Sequence, residues 1–250
     1  MAAYYLLLFA LTFVVFGRTQ SKDVRVHRRT KCRLQQFMGN IASSVPHKNF
    51  QLNNEVSKEI VLVDLFYETM CPGCRQFDTT YFSELIHKLG DHLSVITIPY
   101  GKAATTKYYN GTLTFWCQHG ELECYGNKLH GCAHYYFAQE EKEEEYKSIH
   151  FNTCLMDLER SENGSNDDAV DECGSKMNIS DKVLANIKSC AKSDLGDRIF
   201  EFLGEYSLLK YTSLPHVELN LEPWTGKHED LIKDVCALFK NPPEPCKDVK

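Results

Sequence analysis

From Ile60 to Tyr67 the chain runs IVLVDLFY, nearly unbroken in apolar character and rich in β-branched and aromatic residues. A run of that kind predicts a strand buried on both faces, as in a sheet covered by helices. The turn ETMCPGC follows. Apolar residues then recur at helical spacing, at Phe77, Tyr81, Phe82, Leu85, Ile86 and Leu89, and Gly90 supplies a stop. A second apolar run, LSVITIPY at 93–100, predicts another buried strand. A right-handed crossover sets the two strands parallel.

The pattern changes over about 101–180. That stretch holds Cys117, Cys124, Cys132, Cys154 and Cys173 and the acidic run Glu140 to Glu145. Helix is predicted over 132–160, and SENGSNDDAVDE at 161–172 reads as a polar loop. The region is expected to be an insertion stapled by disulfides, with the acidic run a solvated helix face. Helical periodicity returns over 181–210 through Val183, Leu184, Ile187, Ile199, Phe202 and Leu203. TSLPHVELN (212–220) reads as a turn leading into a strand. Leu231, Ile232, Val235, Leu238 and Phe239 mark an amphipathic helix, ended by Asn241-Pro-Pro. Cys236 and Cys246 could close a short terminal loop. No internal repeat is evident.

Composition narrows the class. The chain has 250 residues, 11 cysteines and a formal net charge of −6. The acidic balance argues against nucleic acid as a partner, because phosphate binding needs surplus Lys and Arg. The cysteine count points to an oxidising compartment, and its odd value leaves one sulfur over after complete internal pairing. Residues 1–17 are too short to span a bilayer and read as a secretory signal, with no stable membrane insertion after its cleavage. Residues 18–58 form a basic arm or pro-segment, with Cys32 alone in it. Three sequons, at Asn110, Asn163 and Asn178, complete a secretory reading and should lie on the surface.

The candidate chemistry is Cys71-Pro-Gly-Cys74. A C-x-x-C between a buried strand and a helix places Cys71 at the helix N-terminus, where free N–H groups and the helix dipole stabilise a thiolate. Such placement lowers a thiol pKa from ~8.5 into the range ~3.5–7.5. The thiolate attacks a disulfide, and the more buried Cys74 resolves the mixed disulfide. Pro72 suits the first helical turn, and Gly73 adds no bulk beside the attacking sulfur. Two other readings stay open here: a zinc site completed by Cys117 with His119 or Cys132 with His134, and a permanent structural bridge. The Leu214–Pro215 bond could be cis, which would expose backbone for a substrate chain to pair with if the loop faces Cys71. Asp64 reads as a strand residue turned to solvent and is left out of the catalytic set.

The stretch CQHGELECYGNKLHGC resembles the signature of the gamma-interferon-inducible lysosomal thiol reductase family. Its fixed positions are met by Cys117, Gln118, His119, Gly120, Glu123, Cys124, Asn127 and Cys132. Cys71 with Cys74, Cys190, and Cys236 with Cys246 also fall where that family has cysteines. The resemblance spans roughly 59–246. It implies an α/β, thioredoxin-like core interrupted by a disulfide-stapled, mainly helical insertion. The expected organisation is a domain over 59–246, insertion about 101–180, and a tail at 247–250. It further implies reduction of disulfides in protein substrates in endosomes or lysosomes, with Cys71 and Cys74 as the active pair and Pro215 in the cis-proline loop. No metal or organic cofactor is expected; a small thiol would regenerate the dithiol. An oxidase or isomerase, or a non-enzymatic stapled binding protein, are the alternatives. His119 is expected to be a structural residue of a stapled turn, and Trp116, Tyr108 and Tyr109 to be packing residues.

Overall fold

In the computed structural model the chain is described over residues 59–138, 146–157, 164–207 and 211–249. The signal and arm, Cys32, the acidic run and Asn163 lie outside the described residues. The first strand, β1 (Val61–Tyr67), is buried along its whole length. Its side chains alternate between two cores, as the period of two requires. Val61, Val63, Leu65 and Tyr67 enter one core, and Phe66 enters the other.

A single helical run follows, made of α1 (Pro72–Phe77), a π-helical turn (Asp78–Phe82) and α2 (Ser83–Leu89). Phe77, Phe82, Leu85, Ile86 and Leu89 pack it onto the first core. Strand β2 (Leu93–Pro99) then lies parallel to β1, from Val61 opposite Leu93 to Tyr67 opposite Pro99. Gly90 ends the helix with right-handed backbone, φ −44°. Its space is taken by the ring of Tyr146, whose hydroxyl donates to the Gly90 and Leu93 carbonyls.

The described residues between β2 and the next strand of the sheet form a covering block. It opens with a hairpin, β3 (Ala104–Lys107) and β4 (Leu113–Trp116), that the apolar pattern did not predict. Its strands are short and half-exposed, so the hydrophobic signal is weak; Asn110-Gly111 at the turn was the available cue. Among the described residues five helices follow: α3 (Glu121–Phe137), α4 (Lys147–Leu155), α5 (Asp167–Lys176), α6 (Asp181–Ala191) and α7 (Asp194–Ser207).

Helix α5 corrects the loop expected at 161–172. Asn166 caps it by accepting from the Ala169 N–H at 2.8 Å, and Ala169, Val170 and Cys173 form a buried face. The insertion expected at 101–180 also extends further. Helices α6 and α7 share one core with α3, and Cys132–Cys190 ties α3 to α6.

The chain re-enters the sheet as β5 (His216–Leu219), antiparallel to β1, followed by β6 (Glu222–Pro223). The strand order is β2-β1-β5-β6. Helix α8 (Leu231–Ala237) returns to the α1–α2 side, and Cys236–Cys246 fastens the end of the chain to it. Helices therefore cover both faces of the sheet, and the β1–α1 turn opens at its edge. Among the described residues, no helix is long and apolar enough to cross a membrane.

Candidate active site

Cys71 is the N-cap of α1, with extended backbone (φ −67°, ψ 118°) and Pro72 in the first turn. Its Sγ accepts from the Cys74 N–H at 3.4 Å, and its carbonyl accepts from the Arg75 N–H at 3.0 Å. An N-cap side chain faces N–H groups that have no helical partner, so an anion is stabilised there. The Cys71 thiol is drawn down to about 6. The hydrogen bond from the Cys74 thiol is the main cause; burial opposes it, and the N–H groups of Cys74 and Gly73 and the charge of His119 add to the lowering. The same hydrogen bond, burial and the Cys71 charge push the Cys74 thiol far up. One sulfur is half-buried and anionic, its partner is 1% exposed and protonated.

The Leu214–Pro215 peptide bond is cis. A methyl group placed on Gly73 would stand 3.9 Å from both Cys71 Sγ and Pro215 Cδ, so the proline loop passes close by the Cys71 sulfur on the Gly73 side. Beside it runs a groove of about 650 Å³ whose walls include Phe77, Tyr211, Pro215, His216, Trp224 and His228. Trp224 and His228 were not singled out in the sequence; no motif marks them. Trp224 is fixed by its indole N–H, which donates to Asp234 at 2.8 Å.

The signature residues gather behind the same turn. Thr69, two residues before Cys71, donates its N–H to Asn127 Oδ1 at 3.0 Å, and Asn127 Nδ2 donates to the Tyr100 carbonyl at 3.4 Å. Glu68 Oε2 accepts from the Lys102 N–H at 3.0 Å. His119 Nδ1 lies 2.6 Å from Glu123 Oε2 and 3.6 Å from Glu68 Oε1, and its N–H donates to Glu123 Oε1 at 3.1 Å. The Cys117–Cys124 disulfide closes this loop, and Gly120 enters α3 at φ +88°, a conformation suited to glycine. Cys132 pairs with Cys190 and Cys154 with Cys173. Gln118 is exposed, and nothing in the structure explains its place in the signature.

Several expectations change. His119 lies in the stapled turn as expected, and it is also near enough to Cys71 for its charge to add to the lowering of that thiol. Glu68 was missed, although a carboxylate directly after a nearly all-apolar strand and three residues before Cys71 was a readable signal. Asp64 does not face solvent: it is 1% exposed and its Oδ2 accepts from Tyr206 at 3.2 Å. Its place in the middle of a strand covered on both faces forces that burial. Trp116, Tyr108 and Tyr109 are exposed on the hairpin and are not packing residues. Asn110 and Asn178 are on the surface. Neither zinc arrangement survives, because Cys117 and Cys132 are consumed in disulfides. Glu68, His119 and Glu123 bring one donor atom each within 4.8 Å of one another. Glu123 is hydrogen-bonded to His119 and Glu68 to the Lys102 N–H, with His119 at ion-pair distance from Glu68, so the trio forms a charge cluster around the imidazole.

Residues 62–177 match the family model described as gamma interferon inducible lysosomal thiol reductase. The chain resembles that family over this span. It is similar to GILT-like protein 1 of Drosophila melanogaster, with 29% identity over 195 residues, 73% of this chain and 76% of that protein. It is similar also to the gamma-interferon-inducible lysosomal thiol reductase of Carassius auratus, with 29% identity over 194 residues, 72% and 69% of the two chains. Among solved structures it resembles the MdbA protein of Actinomyces oris, a thiol-disulfide oxidoreductase. The TM-score is 0.55 at 14% identity, covering 75% of this chain and 84% of that one. The fold is thioredoxin-like, with the helical block set into it. The chain is a thiol-disulfide oxidoreductase.

Proposed function

We propose that the chain reduces disulfide bonds in polypeptide substrates, in an acidic endosomal or lysosomal compartment, with Cys71 as nucleophile and Cys74 as resolving thiol. The observation that carries this reading is the Cys71 sulfur: half-exposed, drawn toward the thiolate at a helix start, and near a proline loop that itself lines an open groove. A substrate chain lies along Pro215 with its disulfide at Cys71. The Cys71 thiolate attacks one substrate sulfur, an S–S bond forms, and the other substrate sulfur leaves as a thiolate that takes up a proton. Cys74 then gives up its proton and attacks Cys71 Sγ. The second substrate thiol leaves, and the pair is left as a disulfide. Two electrons pass to the substrate, and two equivalents of a small external thiol restore the dithiol. No residue is assigned to a metal or organic cofactor.

The test is reduction of a denatured, disulfide-bonded protein at pH ~5 with a small thiol as reductant. The Cys71→Ser variant should be inactive, and Cys74→Ser should accumulate a mixed disulfide with substrate. Wild-type rates in Cys71→Ser would sink the mechanism. Titrating the Cys71–Cys74 couple against glutathione separates reductase from oxidase or isomerase, because poise sets direction.

A further inference from the structure

Two carboxylates of the site are buried side by side. Glu68 is 2% exposed and Glu123 0%, while the His119 side chain that touches both is 32% exposed. Burying two like charges is costly unless a cation lies between them. His119 is placed to be that cation by a loop that is pinned at both ends by Cys117–Cys124. The charges facing its ring come from three elements: Glu68 at the end of β1, Glu123 on α3 and Cys71 at the start of α1.

We propose that His119 is a positioning residue of the thiol-disulfide reaction, a fixed imidazolium that raises the ionised fraction of the Cys71 sulfur in acid, with Glu68 as the group that tunes it. The inference rests on Cys71 being the nucleophile. Its logic is one of sign. Burial works against the charge of His119, but its hydrogen bond to Glu123 and the charges of Glu123, Glu68 and Cys71 outweigh burial and hold the imidazole above its ordinary value. It therefore stays cationic through an acidic compartment. Glu68 is raised as well, by burial first and then by the charges of Glu123 and Cys71, against the Lys102 N–H and His119. As the pH falls, Glu68 takes up a proton and a negative charge beside Cys71 disappears, while the imidazolium remains. The field at the sulfur becomes more favourable to a thiolate as protons become more abundant.

The test is the rate of iodoacetamide alkylation of Cys71 in the reduced full chain, followed by mass spectrometry from pH 4 to 8. His119→Gln should move the midpoint up and slow alkylation at pH 5 by at least about twofold. His119→Lys, which restores a cation, should stay close to wild type. Glu68→Gln should move the midpoint down. Structural damage would shift His119→Gln and His119→Lys alike, and that result overturns the proposal, as does an unmoved midpoint in His119→Gln. A wild-type midpoint near that of a free thiol, ~8.5, would instead bring down the reading of Cys71 itself.

Discussion

Removing the Cys132–Cys190 disulfide should cost the protein about 4 kcal/mol. The bridge joins α3 to α6 across 58 residues. In the chain-entropy treatment a loop of that length restrains the unfolded chain by about 4 kcal/mol. The nested Cys154–Cys173 bridge, which spans 19 residues, already shortens the loop. Because the dependence on length is logarithmic, that correction is only about 0.4 kcal/mol. Alanine is the replacement at both positions: Cys132 and Cys190 are 0% and 3% exposed, and serine would bury an unpaired hydroxyl. The Cys132→Ala/Cys190→Ala protein is measured by urea unfolding. At a slope of about 3 kcal/mol/M the midpoint should fall by more than about 1 M. The Cys236→Ala/Cys246→Ala protein opens a span of only 10 residues and should lose less, about 3 kcal/mol. Cys71 packs on the other core, so its alkylation profile should not move in the Cys132→Ala/Cys190→Ala protein. A loss under about 1 kcal/mol, or one smaller than that of the terminal pair, refutes the reasoning.

Asn127→Ala leaves the buried Thr69 N–H without its acceptor and should destabilise the fold by about 1–3 kcal/mol in the same assay. Brief alkylation of the reduced protein at pH 7 should label Cys71 and spare Cys74, as peptide mass spectrometry can show; equal labelling contradicts the assigned asymmetry. Two buried groups give opposite pH dependences. Burial pushes His134 down to about 4, so the stability it contributes above pH ~6.5 is lost as pH falls toward 4. Burial pushes Asp78 up to about 7 against the Thr153 hydrogen bond and the Arg75 charge, so its contribution is present below pH ~3.9 and lost as pH rises through 7. Between pH 7 and pH 5, His134→Gln should therefore gain stability relative to wild type and Asp78→Asn should lose it, read as urea midpoints at the two values.

The parts legible in the sequence are those where burial is complete. Strand β1, the helix after it and β2 announce themselves because both faces are covered and nearly every position is apolar. The Cys71 turn follows from its place between a strand and a helix. What escaped is where side-chain pairing replaces apolar content. Helix α5 begins in a polar run because Asn166 caps it and Asp167 and Asp168 occupy its first turn, so its composition mimics a loop. Asp64 looked like a surface residue because the pattern cannot show that Tyr206 waits on α7 to meet it. Glu68 and His119 are 51 positions apart in the chain. Only the folded hairpin and the Cys117–Cys124 loop bring them together, so a local reading saw a structural histidine and passed over the glutamate.

The depth of the Cys71 shift itself bears on the setting. A thiol at about 6 is roughly 9% ionised at pH 5, against about 0.03% for a free thiol near 8.5, a gain of about 300-fold. A thiolate loses nucleophilicity as its pKa falls, and at a Brønsted slope near 0.45 the shift costs about 13-fold. The net advantage at pH 5 is then about 20-fold. At pH 7 the ionised fractions are about 91% and 3%, and the same penalty leaves only about twofold. Lowering the pKa to this point therefore does little for a neutral compartment and much for an acidic one. Measured against a free thiol, the alkylation advantage of Cys71 should shrink about tenfold between pH 5 and pH 7. An advantage that instead holds constant or grows with pH would separate the sulfur's tuning from any acidic role.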